Sequence, residues 1–208
     1  MYQYIFWDWN GTIIDDVGVA LDAVNQMLQK RNYPSITLPR YRELMDTPII
    51  HFYEPIFDLE KYPFEEIADE FQQLYQKGAP QPYRMVPDLL QQFQEQGRHQ
   101  IILSSSQRQS ILASLDVLGF QKYFDAVLGA EDIYAQSKVE RAVEYLQQNQ
   151  IAAEQCVLVG DTVHDYEVAD SMGIACILLS CGHDAEDRLQ ECGCVVCQEI
   201  QQLSDFIF

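Results

Sequence analysis

The chain has 208 residues, 48% hydrophobic and 22% charged, enough apolar material for one core or one core carrying a large insertion, but not for an array of domains. Thirty-two Asp and Glu against thirteen Lys and Arg leave a net charge of −19 spread along the chain, which excludes nucleic acid and anionic membrane as natural partners. No run approaches the ~18 uninterrupted apolar residues of a membrane span and the N-terminus lacks signal-peptide character, so a cytoplasmic location with reduced thiols is expected.

Tyr4, Ile5, Phe6 and Trp7 form an apolar run ended by Asp8 and the turn pair Asn10-Gly11, the pattern of a buried strand entering a loop. From Val17 the apolar positions Val17, Ala20, Leu21, Val24, Met27 and Leu28 recur with a helical period. Residues 38–77 keep that helical character, punctuated by Pro39, Pro48, Pro55 and Pro63 and with no convincing strand, and predict a helical insertion. A hinge follows around 76–82.

Beyond it, helices are expected near 87–96, around Ile111 to Leu118, around Val139 to Leu146 and near 166–172. Strands are expected at 99–103, 126–128, 156–159 and 174–179, with an edge strand at Val195-Val196. This alternation predicts an α/β fold, a doubly wound parallel sheet, with a core of 1–15 and 81–208 and a helical cap of 16–80.

Ligands of such sheets gather at the carboxyl ends of the strands. The polar residues expected there are Asp8, Ser104, Ser105 and Ser106, Asp161 and Asp165, with Lys138 at a helix start. Three carboxylates, hydroxyls and one lysine on one edge suit Mg²⁺ and phosphate, since an all-oxygen donor set favours Mg²⁺ over zinc.

These positions resemble the four motifs of the haloacid dehalogenase-like superfamily, in the branch with a helical cap after the first strand. The family's Asp-x-Asp-Gly-Thr stands here as Asp8-Trp9-Asn10-Gly11-Thr12, and its strand-end Ser or Thr as Ser104. Its lysine is Lys138 in Gln136-Ser137-Lys138-Val139, and its Gly-Asp-x-x-x-Asp is Gly160 to Asp165, followed by Ala169 and Gly173. The resemblance implies a magnesium-dependent phosphatase acting on a small phosphorylated metabolite, with Asp8 as the nucleophile that forms an aspartyl-phosphate. It implies metal ligation by Asp8, the backbone carbonyl of Asn10 and Asp161, with Asp165 completing or orienting the shell. It also implies that Ser104 and Lys138 bind the phosphoryl oxygens, with Gly11, Thr12 and Ser105 among the substrate-binding positions. A phosphoglycolate-phosphatase-like substrate follows by the same analogy.

Asn10 departs from the family, whose phosphatases usually carry there a second Asp that shuttles a proton. An amide can hydrogen-bond the leaving oxygen but cannot exchange a proton with it. The site is therefore expected to be slow, and Asn10→Asp to accelerate it. Two other functions stay open: a phosphoacceptor or phosphate sensor with little turnover, and a dehalogenase-type hydrolase. Cys192, Cys194 and Cys197, with Cys181 and His183 upstream, do not have paired zinc-ligand spacing and read as strand and loop residues. His164 reads as a loop residue, and Tyr41, Arg42, Thr47, His51 and Tyr53 are the cap positions that would choose the substrate.

Overall fold

The computed structural model describes residues 2–131 and 137–207, so Gln136 of the lysine motif lies outside the described residues. From its start the chain runs through β1 (Tyr4–Trp7), β2 (Ile14–Asp15), α1 (Val17–Lys30), α2 (Leu38–Leu44), α3 (Ile50–Tyr53), α4 (Phe64–Lys77) and β3 (Gln81–Pro82). It continues through α5 (Val86–Glu95), β4 (His99–Gln107), α6 (Arg108–Leu118), β5 (Ala126–Ala130), α7 (Lys138–Asn149) and β6 (Cys156–Gly160). The last elements are α8 (Val163–Met172), β7 (Ala175–Leu179), α9 (Glu186–Glu191), β8 (Val195–Cys197) and α10 (Ser204–Ile207).

Six strands form one parallel sheet in the order β5-β4-β1-β6-β7-β8. The strands are apolar on both faces because both are covered. Ile5, Trp7, Ile102, Val157 and Val159 meet α5 and α6 through Leu90, Phe93, Ile111 and Leu115. Phe6, Ile101, Leu103 and Leu158 meet α7 and α8 through Ala142, Leu146, Val168 and Ala169. This is the doubly wound sheet expected, and it puts β1 at the switch point, where the chain has gone to β4 and β5 on one side and returns to β6 on the other.

Several element limits differ from those the sequence predicts. β4 runs on through the serines to Gln107, with a register irregularity after Leu103, because the polar residues at its end still pair with β5. Helix α8 begins at Val163, since Thr162 and Asp165 form a capping box that starts it early. The two-residue strands β2 and β3 are too short to show periodicity, and they pair antiparallel, Ile14 with Pro82 and Asp15 with Gln81.

Between β2 and β3, α1 to α4 surround an apolar cluster of their own that includes Val24, Met27, Tyr41, Phe52, Tyr53 and Ile67. They dock on the turn after β7. Arg42 donates from Nε to the Gly182 carbonyl (2.9 Å) and from Nη2 to the Cys181 carbonyl (2.7 Å). Arg188 donates to the Met45 carbonyl. Among the described residues no helix is long and apolar enough to cross a membrane.

Candidate active site

Asp8 directly follows β1, and its N–H donates to the Val159 carbonyl of β6 (2.9 Å). With β4 and β6 on either side in parallel register, Ser104, still within β4, and Asp161, just past β6, stand at the same edge. Lys138 arrives from α7, which a second capping box starts at that residue. The Glu140 N–H donates to the Ser137 hydroxyl (3.2 Å), and the Ser137 N–H donates to the Glu140 carboxylate (2.7 Å). This Ser-x-x-Glu signal is visible in the sequence. Lys138 Nζ donates to Asp8 Oδ1 and to Asp165 Oδ1, 2.6 Å each, with all three residues buried.

Asp165 is fixed from behind. Its Oδ2 accepts from the N–H groups of Asp161 (3.2 Å) and Thr162 (3.1 Å) and from the Thr162 hydroxyl (2.8 Å). Gly160 makes room for this, because a Cβ there would lie 2.3 Å from Asp165 Cγ. Asp161 accepts from the Thr12 hydroxyl at Oδ1 (2.9 Å) and from the His183 N–H at Oδ2 (2.7 Å). A Cβ on Gly11, whose φ is +71°, would lie 2.1 Å from that same Oδ2, so the turn after β1 requires glycine on both counts.

Asp8, Asp161 and Asp165 each offer a carboxylate oxygen, and those oxygens lie within 4.8 Å of one another. One lysine answers two of the three. Burial pushes Asp161 up to about 8, aided by the charges of Asp8 and Asp165, and pushes Asp8 up to about 6 against the pull of Lys138. Burial also raises Asp165, but Lys138 and the Thr162 hydrogen bonds outweigh it and hold it below its ordinary value. Burial and mutual repulsion thus oppose full ionisation of the trio in the absence of a further cation. Its all-oxygen donor set fits a hard divalent cation of the magnesium kind.

Other residues predicted for the site have partners inside the protein. The Thr12 hydroxyl is spent on Asp161, and the Gly11 N–H donates to Asp16 Oδ1 (2.7 Å), so neither group points to a phosphate here. Ser104 is buried and its hydroxyl oxygen accepts from the Ser106 N–H (3.1 Å), whereas Ser105 is exposed. Asn10 has no free hydrogen for a leaving oxygen: Nδ2 donates to Asp16 Oδ2 and to the Tyr75 hydroxyl (both 2.8 Å), and Oδ1 accepts from the Ser106 hydroxyl (2.6 Å).

Asp16, Tyr75 and His183 are residues that sequence reasoning passed over as site groups. His183 is buried against Asp16 through Nε2 (3.1 Å) and against the Tyr41 hydroxyl through Nδ1 (2.8 Å). Of the positions between residues 16 and 80 that the sequence points to, Tyr41 and Arg42 reach the turn of residues 181–183 beside the aspartate trio. Tyr53 packs among Phe52, Phe57, Phe64 and Phe71, Thr47 donates to the neighbouring Asp46, and exposed His51 faces Asp46 at 3.8 Å. The six cysteines are free thiols, and among the described residues the group able to hold a metal ion is the aspartate trio, not the late cysteines. His164 lies on α8, 3.5 Å from Glu167.

The profile of the haloacid dehalogenase-like hydrolase family matches residues 5–179. A 5'-nucleotidase of Pseudomonas aeruginosa is 22% identical over 193 residues, spanning 91% of this chain and 87% of that protein. A phosphoglycolate phosphatase of Aliivibrio fischeri is 24% identical over 202 residues, spanning 91% of this chain and 88% of that protein. In fold, a haloacid dehalogenase-like hydrolase from Streptococcus pneumoniae superposes with a TM-score of 0.84 at 19% identity, covering 100% of this chain and 99% of the other. The chain belongs to the haloacid dehalogenase-like hydrolase family. It is an enzyme of the phosphatase kind, similar to phosphoglycolate phosphatases.

Proposed function

We propose that this chain hydrolyses a small phosphate monoester through an aspartyl-phosphate on Asp8. The observation that carries this reading is the ammonium of Lys138 held between Asp8 and Asp165 with Asp161 beside them, at the strand edge where β1 ends. Asp8 attacks phosphorus in line, the P–O bond to the leaving group breaks, and water then hydrolyses the acyl phosphate. Lys138 orients the Asp8 carboxylate and meets the phosphoryl oxygens, with Ser104 on the neighbouring strand β4 as the second contact. Asp165 keeps Lys138 in place. Asp8, Asp161 and the backbone carbonyl of Asn10 would hold Mg²⁺, which would supply positive charge against the approach of one anion to another.

The partition that goes with this reading is a catalytic core of 1–15 and 81–208 and a cap of 16–80 that selects the substrate, in a cytoplasmic protein. The names of its relatives support a phosphorylated metabolite of the phosphoglycolate or nucleotide kind. A screen of phosphate monoesters with Mg²⁺, run in parallel on Asp8→Asn, tests the proposal. Turnover that survives that substitution or excess chelator would sink it.

A second reading is favoured by the commitment of every polar atom of the Asn10 side chain to partners within the protein. Without an acid-base group at that position, hydrolysis of the aspartyl-phosphate is slow, and the chain acts as a phosphoacceptor. Stoichiometric labelling by a small acyl phosphate that outlasts many expected turnovers would distinguish this case.

A further inference from the structure

Asp16 stands at the entrance to the cap, and its carboxylate is saturated. Oδ1 accepts from the Gly11 N–H (2.7 Å) and from His183 Nε2 (3.1 Å). Oδ2 accepts from Asn10 Nδ2 (2.8 Å) and from the Tyr75 hydroxyl (2.6 Å). Four donors fill the roughly four lone-pair positions of an ionised carboxylate. The residue is 1% exposed, so no water competes for them. Two of the donors, Asn10 and Gly11, belong to the loop that follows the nucleophile. Tyr75 belongs to α4 of the cap, and His183 belongs to the turn on which α2 is seated through Tyr41 and Arg42.

The same geometry dictates what residue 10 can be. Its Nδ2 must bring two hydrogens, one for Asp16 and one for the Tyr75 hydroxyl, whose own hydrogen goes to Asp16. An aspartate brings none. It would set a second carboxylate oxygen against Asp16 Oδ2 at hydrogen-bond distance with no proton between them. A buried group left in that condition is costly.

We infer that Asn10 and Asp16 are an exchanged pair, in which the carboxylate absent from position 10 stands at position 16, and that Asp16 is a positioning residue that ties the nucleophile loop to cap helix α4 through Tyr75. Asp16 acts through Asn10 and Gly11, whose backbone leads directly from Asp8, and it does not touch the substrate. The neutral amide is thus required by its neighbour. The acceleration that the family pattern suggests for Asn10→Asp is replaced by a loss.

The kinetic part of this inference rests on the phosphatase reading; the pairing does not. Wild type, Asn10→Asp, Asp16→Asn and the double variant are compared by thermal unfolding and by kcat and KM on an aryl phosphate with Mg²⁺. Each single substitution should lower the unfolding temperature and reduce kcat by about tenfold or more, the scale of a broken charge-assisted hydrogen bond. The double variant restores one amide and one carboxylate that can satisfy every donor in the network. Its unfolding temperature should return close to wild type, and its kcat to within about threefold or better, since contacting partners couple non-additively. Tyr75→Phe should weaken the wild type and have little further effect on Asp16→Asn.

If wild type proves inactive on every ester, the proposed function fails, while the unfolding cycle still decides the pairing. If a single variant does not fold, recovery of a folded double variant supports the exchange by itself. Asn10→Asp alone matching wild type in stability and rate, or a double variant no better than the worse single, would overturn it.

Discussion

Lys138 Nζ lies 2.6 Å from Asp8 Oδ1 and 2.6 Å from Asp165 Oδ1, so one ammonium bridges the ends of β1 and of the turn that opens α8. The orientation of the Asp8 carboxylate is therefore set by a helix that begins 130 residues later in the chain.

Asp8→Asn should abolish turnover and leave the fold intact. Burial already pushes the Asp8 carboxyl up to about 6, which means that its charged form is not what stabilises the protein. The measurement is single-turnover phosphorylation beside a melting curve. Residual catalysis in this variant would show that another group attacks phosphorus.

Lys138→Met removes the cation from between two buried carboxylates. Losing one partner of such a cluster costs about 3–5 kcal/mol, and metal-free protein should be destabilised on that scale. Urea titration reads the loss. Added Mg²⁺ should recover part of the stability but not the turnover, because the contact proposed from Nζ to the phosphoryl oxygens would be lost. Unchanged urea midpoints would mean that the bridge carries no net energy.

The metal-free protein should lose stability as pH rises, and Mg²⁺ should restore it. Asp8 and Asp161, raised by burial to about 6 and about 8, hold protons more tightly when folded than their unfolded value of 3.8. That contribution is present at low pH and is lost as pH rises through those two values. His183 adds a loss of the same sign: burial lowers its pKa, but Asp16 outweighs burial and carries it up to about 9. Asp16 and Asp165 are held below 3.8 against burial, so they matter only in stronger acid. On the proposed ligation Mg²⁺ would replace protons on Asp8 and Asp161, so its affinity should increase between about pH 6 and about pH 8. Isothermal titration across that range, with proton release measured in two buffers, provides the check. A pH-independent affinity would contradict ligation by this pair.

Gly160→Ala should cost more activity than stability. The added Cβ would lie 2.3 Å from Asp165 Cγ, and relieving it must push Asp165 away from Lys138. Overpacking of this kind costs about 1–3 kcal/mol, tolerable for the fold but not for the geometry around Nζ. Equal kcat in the two proteins would show that Asp165 does not position the lysine.

The parallel sheet and its strand-end carboxylates are legible in the sequence because they rest on local patterns. An unbroken apolar run such as Cys156 to Val159, bounded by turn residues, fits a strand covered on both faces, and the polar residue that follows Gly160 then falls at the sheet edge. Asp16 is not legible, for a physical reason. An aspartate just before a helix reads as an ordinary cap, yet its side chain makes no capping bond to α1 and turns instead to Asn10 and Gly11. Its other partners, Tyr75 and His183, are 59 and 167 residues away, and no periodicity connects them. β2 and β3 escape for want of length, since a two-residue strand has no alternation to read.

Those two short strands determine more than the path of the chain. Asp15 and Gln81 are register partners, so the first and last residues bordering the helical segment sit side by side, at the spacing of neighbours in an ordinary hairpin, about 4.5–5.5 Å between Cα atoms. The sheet therefore sees everything from residue 16 to residue 80 as one long hairpin loop entered and left at a single point. Lengthening or recasting such a loop adds little closure entropy, only about 0.6 kcal/mol per doubling. The helical segment is in this sense a cassette, entered and left through a socket four residues wide.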